Sequence, residues 1–179
     1  MAKTIKVERG DITKYQVDAI VNAANTTLMG GGGVDGAIHR AAGPALYAAC
    51  EKFHGCPTGE AWITPGFQLP AKYIIHTPGP IWRGGEHGEA DLLKNSYRNS
   101  LQLAEHYHCQ TVAFPSISTG VYGFPVEQAA VIAIKTIREF LTASRWVQEV
   151  IMVAFDPKTE AAYQKALSKD PWLDKPGVF

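Results

Sequence analysis

Four consecutive glycines, Gly30 to Gly33, run directly into Val34, Asp35 and Gly36, and Ala37-Ile38-His39-Arg40-Ala41-Ala42 follows as the opening turns of a helix. Residues without a Cβ let the backbone turn through positive φ and bring its N–H groups against a ligand. A helix start adds unpaired N–H donors and a partial positive charge, so the run reads as a phosphate cradle. Gly31 to Gly36 also satisfies Gly-x-Gly-x-x-Gly, the dinucleotide fingerprint of an oxidoreductase. That match is weak, because Asn25 to Met29 separates the glycines from the strand before them. It also sets Asp35 against a pyrophosphate, a contact between like charges. The carboxylate is useful only if it faces another part of the ligand. Taken singly, Asp35 would be a helix N-cap and Asn25 a turn residue.

A second loop, Ser116-Ile117-Ser118-Thr119-Gly120-Val121-Tyr122-Gly123, joins an apolar run at Thr111 to Pro115 to a helix starting near Pro125. Small hydroxyl residues and glycines on such a turn again expose backbone donors suited to phosphate oxygens. It lacks a Gly-Lys-Ser/Thr ending, so nucleotide hydrolysis with magnesium is not implied. Two such loops fit two linked phosphates held between them. Asp11 and Phe155 complete the set: a carboxylate accepts from an exocyclic amine, and an aromatic face stacks on a base. Alone, Asp11 would be a turn residue and Phe155 a core residue. No Gly-x-Ser-x-Gly elbow accompanies Ser116 or Ser118.

The elements that must position these loops alternate along the chain. Strands are expected at Thr4 to Glu8, Ala19 to Ala24, Glu60 to Thr64, Lys72 to Thr77, Thr111 to Pro115 and Val150 to Phe155. Val34 to Phe53 is helical in composition with a break at Gly43-Pro44. Leu93, Tyr97, Leu101 and Ala104 recur at helical spacing within Glu89 to Tyr107, as do Val126, Ala130, Ala133, Ile137 and Leu141 after Pro125. A last helix is expected over Pro157 to Leu167. Such alternation predicts an α/β fold, a sandwich with helices on both faces of a mostly parallel or mixed sheet. Ligands in such sheets collect beyond the carboxyl ends of the strands.

With 179 residues and no linker or repeat, a single domain over 1–179 is expected, large enough to bury roughly 70% of its unfolded surface. A formal net charge of zero argues against a broad electrostatic footprint for nucleic acid. Cys50, Cys56 and Cys109 are an odd number without framework spacing, which points to a reducing compartment. Cys50, His54 and Cys56 lack a fourth ligand at finger-like spacing, so no metal is expected. No apolar leader or membrane-length run is present, and a cytoplasmic location is the expectation.

Together, Gly10-Asp11-Ile12-Thr13, Asn22-Ala23-Ala24-Asn25 through Leu28, Gly30 to Gly33, Val34-Asp35-Gly36-Ala37-Ile38-His39, Ala41-Ala42-Gly43 and Ser118-Thr119-Gly120-Val121-Tyr122-Gly123 resemble the macrodomain family. The likeness runs from about Val7 to Asp156 and is greatest to bacterial O-acetyl-ADP-ribose deacetylases of the MacroD-type branch. Phe124 departs from relatives that carry tyrosine there, which removes one hydroxyl from the loop's edge. The resemblance implies a three-layer α/β/α sandwich with ADP-ribose in a cleft across its top. Asp11 would hold the adenine amine, the Ile12 N–H would meet the ring, and Phe155 would pack on the base. Gly32, Gly33, Val34 and the loop Ser118, Thr119, Gly120, Val121, Tyr122 would surround the diphosphate, with Tyr122 as a lid. Asn25 and Asp35 would serve the distal ribose, and Asn22 would be a further substrate-binding residue. The implied activity is hydrolysis of an ester on that ribose, either an acetyl group or a link to a protein Asp or Glu. Asp35 would orient or deprotonate water and Asn25 would fix the sugar. The helix start is expected to lower the pKa of Asp35 and weaken it as a base. His39, one turn along, would pack or assist. No cofactor is needed. A non-catalytic ADP-ribose-binding module is the alternative. A protein contact with an RNA-processing enzyme is also implied by relatives, but no residue pattern here supports it.

Overall fold

The computed structural model describes residues 2–169; Met1 and residues 170–179 of the expected single domain lie outside the described region. Six strands form one sheet: β1 (Thr4–Arg9), β2 (Ala19–Ala24), β3 (Trp62–Pro65), β4 (Tyr73–Pro78), β5 (Thr111–Phe114) and β6 (Glu149–Ala154). Their spatial order is β1-β6-β5-β2-β4-β3, and every neighbouring pair is parallel except β3 with β4. The expected mixed, mostly parallel sheet is therefore observed.

Parallel strands covered on both faces read as near-continuous apolar runs, and the burial of β2, β5 and β6 follows that rule. Alternate residues serve different layers, as a period of two requires. Ala19, Val21, Val112, Phe114, Val150 and Met152 pack beneath α3 (Glu89–His106), α4 (Val126–Ala143) and α5 (Pro157–Ser168). Ile20, Ala24, Ile74, Ala113, Ile151 and Val153 face the other way, against Ile38, Ala42, Leu46 and Cys50 of α1 (Gly33–Ala42) and α2 (Ala45–Glu51). The result is the expected three-layer α/β/α sandwich.

Gly43 and Pro44 make the expected helix break, with the Gly43 N–H closing α1 onto the His39 carbonyl at 3.1 Å. The second segment ends sooner than composition suggests, at Glu51, because His54 and Gly55 both take positive φ. Strand β3 starts two residues later than expected, since Glu60 is tied into a turn on Pro57. Because β1, β2, β4, β5 and β6 run the same way, the loops after all five leave from one edge of the sheet. Both glycine loops, Asp11 and Phe155 are on that edge.

Candidate active site

Along that edge the strand order sets the order of the candidate residues. At one end β1 and β6 are neighbours, and the Gly10 N–H donates to the Ala154 carbonyl at 3.1 Å, so Asp11 and Phe155 emerge side by side. Asp11 Oδ1 accepts from the backbone N–H of Thr13 at 3.0 Å and from its hydroxyl at 2.6 Å, closing a single 3-10 turn over Ile12–Lys14. The Thr13 hydroxyl bond holds the carboxyl below its usual range. Ile12 opens the turn, which leaves its N–H without a partner inside it, while its side chain is buried. Phe155 is 89% exposed, so the core role its residue type suggests does not apply. It presents a bare ring beside Asp11.

The second glycine loop follows β5, one strand inward from β6. It is fixed from below by phenol hydroxyls. Tyr97 on α3 accepts from the Ile117 N–H at 3.2 Å and meets the Tyr163 hydroxyl of α5 at 3.2 Å. Tyr163 in turn lies 2.9 Å from Ser116 Oγ, and Thr119 donates to that same Ser116 oxygen at 2.7 Å. From the side, the Trp82 N–H donates to the Tyr122 carbonyl at 2.8 Å, and its ring packs on Phe124 at 4.7 Å. Ser118 has φ +69° and a buried hydroxyl with no partner among the described residues. A Cβ on Gly79 would come within van der Waals overlap of that hydroxyl, so Gly79 is required for the approach. Above this base, Gly120 faces open space and Val121 is fully exposed.

The first loop follows β2, next to β5. Asn25 organises the turn that its type suggests. Its Oδ1 accepts from the Thr27 N–H, the Thr27 hydroxyl and the Leu28 N–H, and its Nδ2 donates to the Gly30 carbonyl at 2.9 Å. One amide hydrogen remains. Gly32 is the N-cap of α1 and makes no side-chain capping bond; Gly32 and Gly33 face open space, Gly33 with φ +57°.

Asp35 is therefore not the N-cap. It lies two residues inside α1, is 3% exposed, and its Oδ1 accepts from Asn22 Nδ2 at 2.8 Å. Asp35 Oδ2 has no partner among the described residues. A Cβ placed on Gly31 would lie 3.1 Å from Asp35 Oδ2 and 3.2 Å from Asn25 Nδ2, so both atoms face the space beside that glycine. The expected lowering of the Asp35 pKa is overturned. Burial raises it, and the Asn22 bond and His39 only partly offset this. His39 Nε2 is 3.3 Å from Asp35 Oδ1 without hydrogen-bond geometry; burial holds its ring below the usual range, and Tyr47 covers it at 4.4 Å.

Asn22 is wholly buried behind Asp35 and does not reach the cleft. Sequence reasoning missed what stands behind it. His76, opposite Asn22 in the β2–β4 register, puts Nδ1 3.2 Å from Asn22 Nδ2, and its Nε2 lies 3.0 Å from Thr64 Oγ1 on β3. The signal was a histidine inside the apolar strand Tyr-Ile-Ile-His-Thr-Pro. Cys50 approaches His76 at 3.9 Å, and burial pushes its thiol up to about 11, so it is no nucleophile at neutral pH. Among the described residues no group of three or more His, Cys, Asp or Glu could hold a metal.

The edge thus offers, in order, a carboxylate with an aromatic face, a loop of backbone donors, and a buried carboxylate with one free oxygen beside an amide. From β1 to β2 is three strand spacings, about 14 Å. A ligand with a base, a diphosphate and a second sugar would span it, with a proton acceptor at its far end.

Comparison with known proteins places the chain in a family. The chain is 66% identical to a macro domain-containing protein of Lactiplantibacillus plantarum, covering 92% of this chain and 96% of that protein. It is 54% identical to a Salmonella newport protein named O-acetyl-ADP-ribose deacetylase, covering 94% and 97%. A solved variant of the Oceanobacillus iheyensis macrodomain with ADPR superposes with a TM-score of 0.88 at 47% identity, covering 93% of this chain and 92% of that one. The Macro domain model matches residues 21–133, which include both glycine loops, Asn25 and Asp35. This chain belongs to the Macro domain family.

Proposed function

We propose that this protein binds ADP-ribose along the loop edge of its sheet and hydrolyses an ester on the distal ribose. O-acetyl-ADP-ribose would yield ADP-ribose and acetate; a mono-ADP-ribosyl ester of a protein Asp or Glu would yield ADP-ribose and the free side chain. The order of the edge residues supports the binding half: Phe155 and Asp11 for adenine, the two loops for the diphosphate, Asn25 and Asp35 for the second sugar. One observation carries the hydrolytic half. Asp35 Oδ2 is an unpartnered oxygen on a carboxylate whose pKa burial raises, facing the same space as Asn25 Nδ2. Burial makes it a stronger base than an exposed aspartate, closer to the range in which general bases work.

In the reaction so read, Asp35 Oδ2 takes a proton from water as the water oxygen adds to the ester carbon. The carbon–oxygen bond to the ribose then breaks, and the proton held by Asp35 passes to the departing sugar oxygen. Asn25 fixes the sugar through its remaining amide hydrogen. The backbone donors at Gly32, Gly33, Val34 and Ser118 to Tyr122 hold the diphosphate and fix how far the sugar reaches.

The test is turnover of O-acetyl-ADP-ribose and of Glu-linked mono-ADP-ribosylated protein by wild type, Asn25→Ala and Asp35→Ala. A positioned general base contributes roughly 10²–10⁴-fold, so Asp35→Ala is expected to lose that much in kcat while keeping most of its ADP-ribose affinity. Tight ADP-ribose binding by a wild-type protein that turns over neither substrate would overturn the hydrolase reading and leave a binding module.

A further inference from the structure

The hydrogen-bond polarity behind Asp35 is fixed along a row of buried side chains. Thr64 Oγ1 donates to the Pro65 carbonyl at 3.1 Å, which leaves its lone pair toward His76 Nε2 at 3.0 Å. With the Thr64 hydroxyl donating to Pro65, the ring proton is assigned to His76 Nε2 and Nδ1 becomes the acceptor. Asn22 Nδ2 lies 3.2 Å from that Nδ1 and 2.8 Å from Asp35 Oδ1, so each of its two hydrogens has an acceptor. All four side chains are at most 3% exposed, where a misdirected donor has no solvent to turn to.

An amide is symmetric in shape but not in polarity, and Asn22 could sit with its oxygen toward Asp35 instead. That setting needs the His76 proton on Nδ1 and the Thr64 hydroxyl turned away from Pro65. It would also bring an oxygen lone pair against the carboxylate. The contact with Asp35 Oδ1 opposes that setting, while Asn22 Oδ1 stays buried without a partner among the described residues in the setting adopted.

We propose that Thr64 and His76 are positioning residues that act through Asn22 to keep an amide hydrogen on Asp35 Oδ1, so that Asp35 stays ionised with Oδ2 left free on the side of Gly31 and Asn25. This rests on the hydrolytic role given to Asp35 and extends it two residues deeper, to β4 and β3. Burial and the neighbouring His39 push the His76 ring down to about 3, so it remains a neutral acceptor across the working range. The groups facing Asp35 are Asn22 on β2, His39 on α1, and Cys50 on α2, whose own titration senses the Asp35 charge; Tyr47 on α2 covers His39. Arg40 lies on the Gly36 side of α1 and is exposed. Among the described residues, Asn22 is the side chain that donates to Asp35 in hydrogen-bond geometry.

The experiment reads the row directly and does not depend on turnover. Long-range proton–nitrogen NMR of the wild-type protein is expected to show His76 as the Nε2–H tautomer. Side-chain carbon NMR should follow the Asp35 titration in wild type, Thr64→Val and Thr64→Ser. Valine removes the acceptor for His76 Nε2–H, frees the ring to change tautomer and lets Asn22 turn. The Asp35 midpoint is then expected to move upward in Thr64→Val and to stay at the wild-type position in Thr64→Ser. With an esterified ADP-ribose substrate, the acid limb of kcat should move with it. Loss of a hydrogen bond to a charged group predicts about a tenfold fall at acidic pH, recovered at higher pH, with KM unchanged. An Nδ1–H tautomer in the wild type would overturn the proposal, and so would an unmoved Asp35 midpoint in a folded Thr64→Val. If the wild type has no esterase activity, the function proposed above fails while the tautomer and the titration still decide this one.

Discussion

Burial acts in opposite directions on the two titratable groups that flank Asn22, and the signs give a pH dependence. Asp35 binds its proton more tightly folded than unfolded, so it costs stability once the pH rises above its unfolded value near 3.8. His76 is the reverse. Its folded value of about 3 lies below the unfolded 6.5, so its stabilising contribution is complete above pH 6.5 and is lost as the pH falls toward 3. At pH 5 that loss is about 2 kcal/mol. His76→Gln is expected to flatten the decline in melting temperature between pH 7 and pH 5, measured by calorimetry or circular dichroism. An equal decline in both proteins would show that His76 is charged in the fold. Asp35 stood out in the sequence as a carboxylate at a helix start after a glycine run. Its raised pKa was not legible there, because the helix start is local and visible while the burial comes from β2, β4 and α2, distant in sequence.

Secondary-structure elements were legible where periodicity and punctuation agreed. The bounds of β2 emerge from its apolar run unaided, and α3 and α4 from their three-to-four spacing. The turn over Ile12–Lys14 has no periodicity to reveal it and exists because Asp11 caps it. The glycines of the first loop look alike in sequence and differ in duty. Gly36 is inside α1, where alanine would ordinarily stabilise by up to about 1 kcal/mol. Here a Cβ would meet the Gly31 carbonyl oxygen at 2.5 Å. Gly36→Ala is therefore expected to lower stability in chemical denaturation and to displace the first loop. Gly120→Ala, with nothing within 4 Å, should leave the melting temperature unchanged and weaken ADP-ribose binding by crowding the second loop. A stable Gly36→Ala would show that α1 can move away from Gly31 without cost.

At the scale of the molecule, the proposed contacts for the base and for the distal sugar lie at the ends of different strands, so the two should separate in binding experiments. Phe155 leaves the end of β6 and Asp35 follows β2, three strands along the order β6-β5-β2 counting both ends. Its exposed ring contributes little to the core, so Phe155→Ala should leave stability unchanged. It should weaken ADP and ADP-ribose alike, by roughly 0.5–1.5 kcal/mol for a lost aromatic contact. Asp35→Ala should spare ADP. Calorimetric titration with both ligands checks this; a Phe155→Ala protein that binds both normally would remove the base from that end. The sheet order that sets these distances could not be read from the chain, because pairing of β6 between β1 and β5 depends on contacts across the whole sequence.

That same pairing ties competence to synthesis. Strand β1 is the first to leave the ribosome and its partner β6 the last, and the hydroxyl of Tyr163 that holds Ser116 arrives later still, on α5. A nascent chain that has exposed both glycine loops but not α5 has the cradle's rim without its floor. If the loops bind nucleotide as proposed, stabilisation by that ligand would come only once α5 has docked beneath Ser116.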